Sequence, residues 1–467
     1  MRSAFAFLIL ASTASAADPA AWATYRGNPA RTGNTDGKAG PAAPAVVWAR
    51  KSEDHFVASP VPSGEGLLLS AFGAFNRPMV SLFPAKDDGK AVWARSAPYL
   101  RFATVSSPAV SGPFVLFGDG LHTDPGGALH CLTADTGRPV WQLPMPGDLI
   151  HMEGTPTVAD GRVYMGGGAA GVVCVELDKA TLDGKDVTAG EVAKMQEAKW
   201  KDLLAKFEEQ KKKDPDFAVP PTEDQLLKPS PKKVWQTGEK KWHVDAAVNV
   251  VAGKVLVGTS FLDKEKAGER ALYCLDAKTG DKVWSEKLTY NPWGGASVSG
   301  DTVIVGGSSV GLYVNELKGA KGELTALDLN TGKVKWRKDV PGGVVSCAAI
   351  ADGLAVVTAT DGKVRAYALA DGDRKWIFDA KAGFFAPPAV AGGVVYAADL
   401  NGVVHALNLK DGVPKWKLDL GTDAAVKLPG MVYGGVVVAD GKLFVATANF
   451  EGPHARKGTC VVCIGTK

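Results

Sequence analysis

Apolar and polar residues alternate along most of this chain in short runs, the period-two pattern of half-buried strands. The clearest unit is GERALYCLDAKTGDKVW, Gly268 to Trp284. Leu272, Cys274 and Leu275 lead into Lys278-Thr279-Gly280-Asp281, where glycine supplies a positive φ, and Val283-Trp284 starts the returning strand. Versions of this phrase end at Trp141, Trp336, Trp376 and Trp416, and a degenerate one ends at Trp93. In these copies a glycine (Gly89, Gly137, Gly280, Gly332, Gly372, Gly412) lies four residues before the tryptophan. Ahead of each copy runs a second phrase, a small-residue strand, a glycine-bearing turn and an apolar strand, as in SPAVSGPFVLFG and PPAVAGGVVYAA. Joined, the two phrases give four antiparallel strands in a unit of roughly 40 to 50 residues, the sequence signature of propeller blades.

Both ends of the chain carry partial units. Ala45-Val46-Val47-Trp48-Ala49-Arg50 reads as the last strand of a blade that lacks its other strands, and Gly434 to Ile464 reads as a blade that lacks its closing tryptophan. Pairing them would close a ring and remove two open sheet edges. The closing tryptophans then number eight: Trp48, Trp93, Trp141, Trp235, Trp284, Trp336, Trp376 and Trp416. The expected fold is all-β, an eight-bladed β-propeller of four-stranded antiparallel blades closed by its terminal strands, with one helical insertion.

The insertion explains why Trp141 and Trp235 are about twice as far apart as other neighbours. Thr188 and Glu191 form a capping box, Val192, Met195, Leu203 and Phe207 share one side of a helical period with Trp200 at its edge, and Pro215 stops the helix. A Pro-rich return follows, so residues 179–232 are expected as a helical insertion between the third and fourth strands of blade three, its apolar stripe packed on its own propeller. Met1 to Ala16, with Arg2, an apolar run from Ala4 to Ala11 and Ala14-Ser15-Ala16, reads as a secretory signal peptide. No cysteine stands at that cleavage site, so a lipid anchor is not indicated, and the mature chain is expected in the periplasm or outside the cell. Residues 17–44, rich in Ala, Gly and Pro, are expected as a partly ordered arm ahead of a propeller over 45–467.

With 46% hydrophobic residues, 55 glycines and a net charge of +3, the chain suits one large β domain and lacks the basic stripe that nucleic acid would require. No further apolar run reaches membrane length. Cys131, Cys274 and Cys463 occupy one repeat position where other copies have Ala326, Ala366 and Ala406, and Cys174 sits in the matching strand of blade three. That interchange marks small core residues, and Cys460 and Cys463 of the CxxC point to opposite faces of a strand, so free thiols are expected.

The WxxYRG phrase from Trp22 to Gly27 and the repeated A/C-x-D-x-x-T-G-x-x-x-W phrase resemble the PQQ-like (quinoprotein) β-propeller family, whose tryptophan-docking motifs lock blade to blade. The resemblance covers the whole mature chain except the insertion. It implies either a dehydrogenase that uses PQQ with calcium, or a non-catalytic relative such as the outer-membrane assembly factor BamB. Quinoprotein chemistry needs a cation held by carboxylate and amide oxygens, an Asp base and a flat slot for the quinone. Many of those enzymes also carry adjacent cysteines or a CxxCH haem site, and this sequence has neither. The expected function is therefore a binding or protein-interaction scaffold of the cell envelope, monomeric, with envelope or outer-membrane proteins as partners. A PQQ/Ca-dependent alcohol or sugar dehydrogenase and a non-catalytic small-molecule binder are the alternatives.

Topology places any ligand site where the segments after each tryptophan reach the next inner strand, because all emerge on one face around the channel. These segments supply Arg101 and Lys427 for anions, Glu153, Asp245 and Asn291 for a cation, Trp293 and Phe384 for stacking, and His151 and His243 beside them. His55 and Tyr433 lie on the same set of segments. For each, an ordinary loop or channel residue is the competing reading. The insertion is expected on the opposite face.

Overall fold

The computed structural model describes residue 22 and residues 24–33 and 37–466, so the leader pattern at Met1–Ala16 lies outside the described residues. Among the described residues the strands form eight antiparallel sheets: six with four strands in chain order, one of five strands, and one of four closed by the chain ends. In that last blade Ala45–Ser52 pairs with Thr459–Gly465, with Trp48 opposite Cys463. Blade three carries an extra strand, Lys185–Thr188, beside its third strand Val172–Leu182.

The tryptophans do what their spacing implies. The indole N–H of each donates to a backbone carbonyl of the following unit: Trp48 to Ala85, Trp93 to Ala134, Trp141 to Leu177, Trp235 to Ala277, Trp284 to Leu329, Trp336 to Leu369 and Trp376 to Leu409, all at 2.8–3.2 Å. Trp416 donates to Pro41 O at 2.9 Å, so the arm completes the eighth lock. The turn glycines answer the same ring from the other side. A Cβ on Gly332 (φ +71) would stand 2.6 Å from the Trp284 ring, and one on Gly372 (φ +73) 2.6 Å from Trp336. Glycine is thus needed twice over, for left-handed backbone and for the space a flat indole fills. The core is layered between blades, as where Leu272, Cys274 and Trp284 of blade four meet Val298, Val303 and Leu327 of blade five. Trp336→Ala should cost about 3–5 kcal/mol of stability. Because unfolding entropy grows with chain length, that is a fall in Tm of only about 3–5 °C by calorimetry.

All six cysteines are buried and free, with Cys131, Cys174, Cys274 and Cys463 directly opposite a closing tryptophan. The helix spans Ala189–Lys213 and starts with the Thr188/Glu191 capping box. Its apolar stripe packs less than its period implies. Val192 is buried, Leu203 and Phe207 are half-buried and Trp200 lies 3.9 Å under the Arg138 guanidinium, but Met195 is exposed.

The arm differs from expectation. Trp22, Arg26 and Arg31 are fully buried, and Pro29, Ala30, Thr32 and Gly33 accept backbone hydrogen bonds from Val250, Val298, Ile350 and Val390, the inner strands of blades four to seven in turn. Gly37 and Ala39 lie against Gly392, in the turn between the first two strands of blade seven. The arm therefore enters the ring axis from the face opposite the inter-blade segments. Inner strands offer unpaired N–H groups toward the axis, and an extended segment satisfies them.

Candidate metal centre

Two kinds of segment meet on the face opposite the arm's entry: those joining one blade to the next, and the turns between second and third strands. In blade two that turn follows Phe114–Gly118 and precedes Gly126–Thr133, and it carries His122. Its base is fixed by Asp119, whose carboxylate accepts from Ala128 N at 2.6 Å and meets His130 Nε2 at 2.9 Å. Its tip is a tight turn closed by Leu121 N to Asp124 Oδ2 at 2.8 Å. The Asp119 carbonyl also accepts from Met152 N, which holds the segment His151–Glu153 beside the turn. From the blade three to four connection come His243 and Asp245, held by Ser260 N to His243 O and by the bridge between Gly168 and Val244. Gly168 (φ +56) leaves the room required, since a Cβ there would stand 2.8 Å from His151 Nε2.

The result is a compact cluster. His243 Nε2 is 3.0 Å from His122 Nε2, 3.2 Å from His151 Nε2 and 3.0 Å from Asp245 Oδ1. Asp245 Oδ1 is in turn 3.3 Å from His151 Nε2 and 3.7 Å from His122 Nε2. Neither carboxylate oxygen of Asp245 makes a hydrogen bond, although the side chain is only 8% exposed. Three imidazole nitrogens this close cannot all be satisfied by protons, because one proton serves one pair of lone pairs. A cation at their centre satisfies all of them. Bonds of about 2.0–2.1 Å to a tetrahedral ion place the ligand atoms about 3.3–3.4 Å apart, within the spread observed.

Glu153 supports the set from behind. Its Oε1 accepts from His122 Nδ1 at 3.1 Å, which turns that ring's Nε2 toward the cluster, and it lies 3.4 Å from His151 Nδ1, which makes no hydrogen bond. Burial pushes His151 below the ordinary imidazole value, toward the neutral form that binds metal. Burial would do the same to His122, but the Glu153 hydrogen bond and the charge of Asp245 outweigh it and hold that ring up at about 9. For Asp245, burial opposes the charged form, yet the neighbouring His243 and the other two rings pull the carboxyl well below its usual range. Glu153→Gln is expected to weaken metal affinity about 10–100-fold while leaving the ligands in place, measured by competition with a chromophoric chelator.

Of the residues expected at the rim, His151, Glu153, His243 and Asp245 lie together here. Asn291 does not join them: its Oδ1 accepts from Phe261 N at 2.8 Å and its Nδ2 donates to Phe261 O at 3.0 Å, so both ends serve a turn. The trio of Glu153, Asp245 and Asn291 thus does not form a calcium cage, and imidazole rather than oxygen dominates the donors, a set that does not fit the calcium of quinoproteins. Arg101 and Lys427 are exposed on separate segments. Phe384 is buried with its ring near His405, and Trp293 is half-buried against the cluster of Phe385, Met431 and Tyr433. His55 bridges to Phe72, and Tyr433 donates to Glu451 Oε1 at 2.6 Å. His122 was the residue sequence reasoning missed, because only the inter-blade segments were searched; the longer second turn LHTD in blade two was the available signal.

Residues 40–197 and 268–453 match the model of a family described as outer membrane protein assembly factor BamB. The chain belongs to that family. His122, His151 and Glu153 fall inside the matched ranges, and His243 and Asp245 fall between them. No curated protein matches by sequence. Among solved structures, BamB from Moraxella catarrhalis superposes with a TM-score of 0.57 at 15% identity, covering 91% of this chain and 98% of that one. A europium-containing methanol dehydrogenase gives 0.63 at 13% identity, with 96% and 99% covered. The quinohemoprotein alcohol dehydrogenase from Comamonas testosteroni gives 0.63 at 14%, with 97% and 82% covered. At such identities the likeness shows the propeller fold alone. No described helix is long and apolar enough to cross a membrane.

Proposed function

We propose that this chain is a metal-binding propeller of the cell envelope, holding one zinc-class divalent cation through His122, His151, His243 and Asp245. The observation that carries the reading is the convergence of three Nε2 atoms and an otherwise unpartnered buried carboxylate within 4.8 Å of one another. Four protein ligands complete a tetrahedral set, which supports a non-catalytic role over a PQQ-dependent one. The leader pattern at Met1–Ala16 and the BamB family support the envelope location. A partner-binding role on the same face is favoured by Phe75, fully exposed, and by the exposed Tyr313 and Phe450, all on turns between second and third strands. The test is calorimetric titration of chelator-stripped protein with zinc, calcium, and PQQ with calcium. One equivalent of zinc with no response to calcium or PQQ is expected. Saturable PQQ binding with alcohol- or sugar-dependent dye reduction would overturn the reading and restore the dehydrogenase.

A further inference from the structure

The four ligands are not equally enclosed. His151 and His243 have no exposed side-chain surface and Asp245 has 8%, but His122 has 34%, and Glu153 behind it has 25%. The exposed ligand is also the one on a hairpin turn, and apart from its Nε2 contacts within the cluster its ring is held by the hydrogen bond from Nδ1 to Glu153. The buried three sit on segments tied into the ring by backbone bonds at Met152, Gly168 and His243. One side of the cage is thus a fixed wall and the other a single imidazole facing solvent.

The turns beside that side carry charges of both signs. Asp124 lies on the same turn as His122, and Glu265 is exposed between Lys264 and Lys266 on the corresponding turn of blade four. The long turn 309–320 of blade five, which holds Glu316 and Lys318, reaches across to blade eight: Val314 N donates to Glu451 Oε1 at 3.3 Å, and Val314 and Leu317 pack on Met431 and Phe385. Mixed charge gives no net steering field, so the exposure of His122 is what marks the way in.

Resting on the metal-centre reading, we infer that this is an exchangeable site, loaded from solution by a hydrated divalent transition cation entering past His122, the one ligand that faces solvent. The fixed wall of His151, His243 and Asp245 captures the ion, and His122 closes behind it. The metal is then the protein's cargo or signal, in contrast to an ion enclosed during folding. Asp245 supports the capture step, since its buried carboxylate is aimed into the cluster and neither oxygen makes a hydrogen bond.

Rapid mixing of chelator-stripped full-length chain with Co²⁺, followed by its visible ligand-field absorption, tests this. The expected rate is first order in Co²⁺ over the whole concentration range. His122→Ala should leave association rapid and speed dissociation at least about tenfold. An association rate that saturates with Co²⁺, as when the fold must open before the ion enters, would overturn the inference while leaving the metal centre intact. Failure of the wild-type chain to develop any spectrum would defeat the centre itself and this inference with it.

Discussion

His243→Ala is expected to weaken zinc binding by about 10²–10³-fold and to remove most of the zinc-dependent stabilisation of the fold. His243 is the hub of the cluster, with its Nε2 within 3.2 Å of two other ring nitrogens and of Asp245. Spreading the roughly 10–16 kcal/mol of a four-ligand zinc site over its ligands assigns each about 3–4 kcal/mol, and every 1.4 kcal/mol is a factor of ten. In the wild type, zinc at about a thousand times its Kd should add about 4 kcal/mol, or about 4 °C in Tm for a chain of this size. At the same zinc concentration the variant should gain only about 0.4–1.4 kcal/mol, a rise of about 1 °C. His130 and His405 provide the internal contrast. Each is buried, but each pairs one-to-one with a carboxylate, Asp119 at 2.9 Å and Asp399 at 3.0 Å, so neither has a lone pair facing other imidazoles. Their substitution should leave zinc stoichiometry at one. An undiminished zinc-induced rise in Tm in His243→Ala would place the metal elsewhere.

The ring was legible because its determinants are local. Strand alternation, turn glycines and closing tryptophans recur within each unit, and a Trp-to-carbonyl bond needs only the next unit. The capping box of the insertion is equally local, being four consecutive residues. The metal centre is not local. His122 and His151 lie 121 and 92 residues from His243, and no spacing rule links a blade-two turn to a blade-four connection. Ring curvature brings them together, and curvature is a property of packed blades. Knowing which face the inter-blade segments share was enough to pick out His151, Glu153, His243 and Asp245. It could not exclude Asn291, whose amide is consumed by Phe261 in a turn that looks no different in sequence. The arm was opaque for a related reason. Its Ala, Gly and Pro content suits an untethered chain, but the same small residues let backbone approach the inner strands closely enough to bond with them.

Arg31→Ala should release that arm and cost about 3–5 kcal/mol. The guanidinium is fully buried and donates to Thr24 Oγ1 at 3.0 Å, to Tyr25 O at 2.6 Å, to Thr155 O at 3.4 Å and to Thr157 Oγ1 at the inner strand of blade three. Ser297 Oγ donates to the Arg31 carbonyl at 2.8 Å, which fixes the residue against blade five. Truncation would leave buried carbonyls unpartnered, at about 1–3 kcal/mol each, and open a cavity on the axis. Arg31→Met separates these contributions, because it keeps most of the stem's packing and loses the hydrogen bonds. The ring itself is closed by Ala45–Ser52 against Thr459–Gly465, downstream of the arm, so loss of Arg31 should free the arm before the blades come apart. Limited proteolysis is the direct readout. Cleavage within residues 24–44 should be rapid in Arg31→Ala, intermediate in Arg31→Met and slow in the wild type, while zinc stoichiometry on the opposite face stays the same in all three. Equal resistance in the alanine variant would mean that the backbone bonds of Pro29, Ala30, Thr32 and Gly33 hold the arm without the side chain.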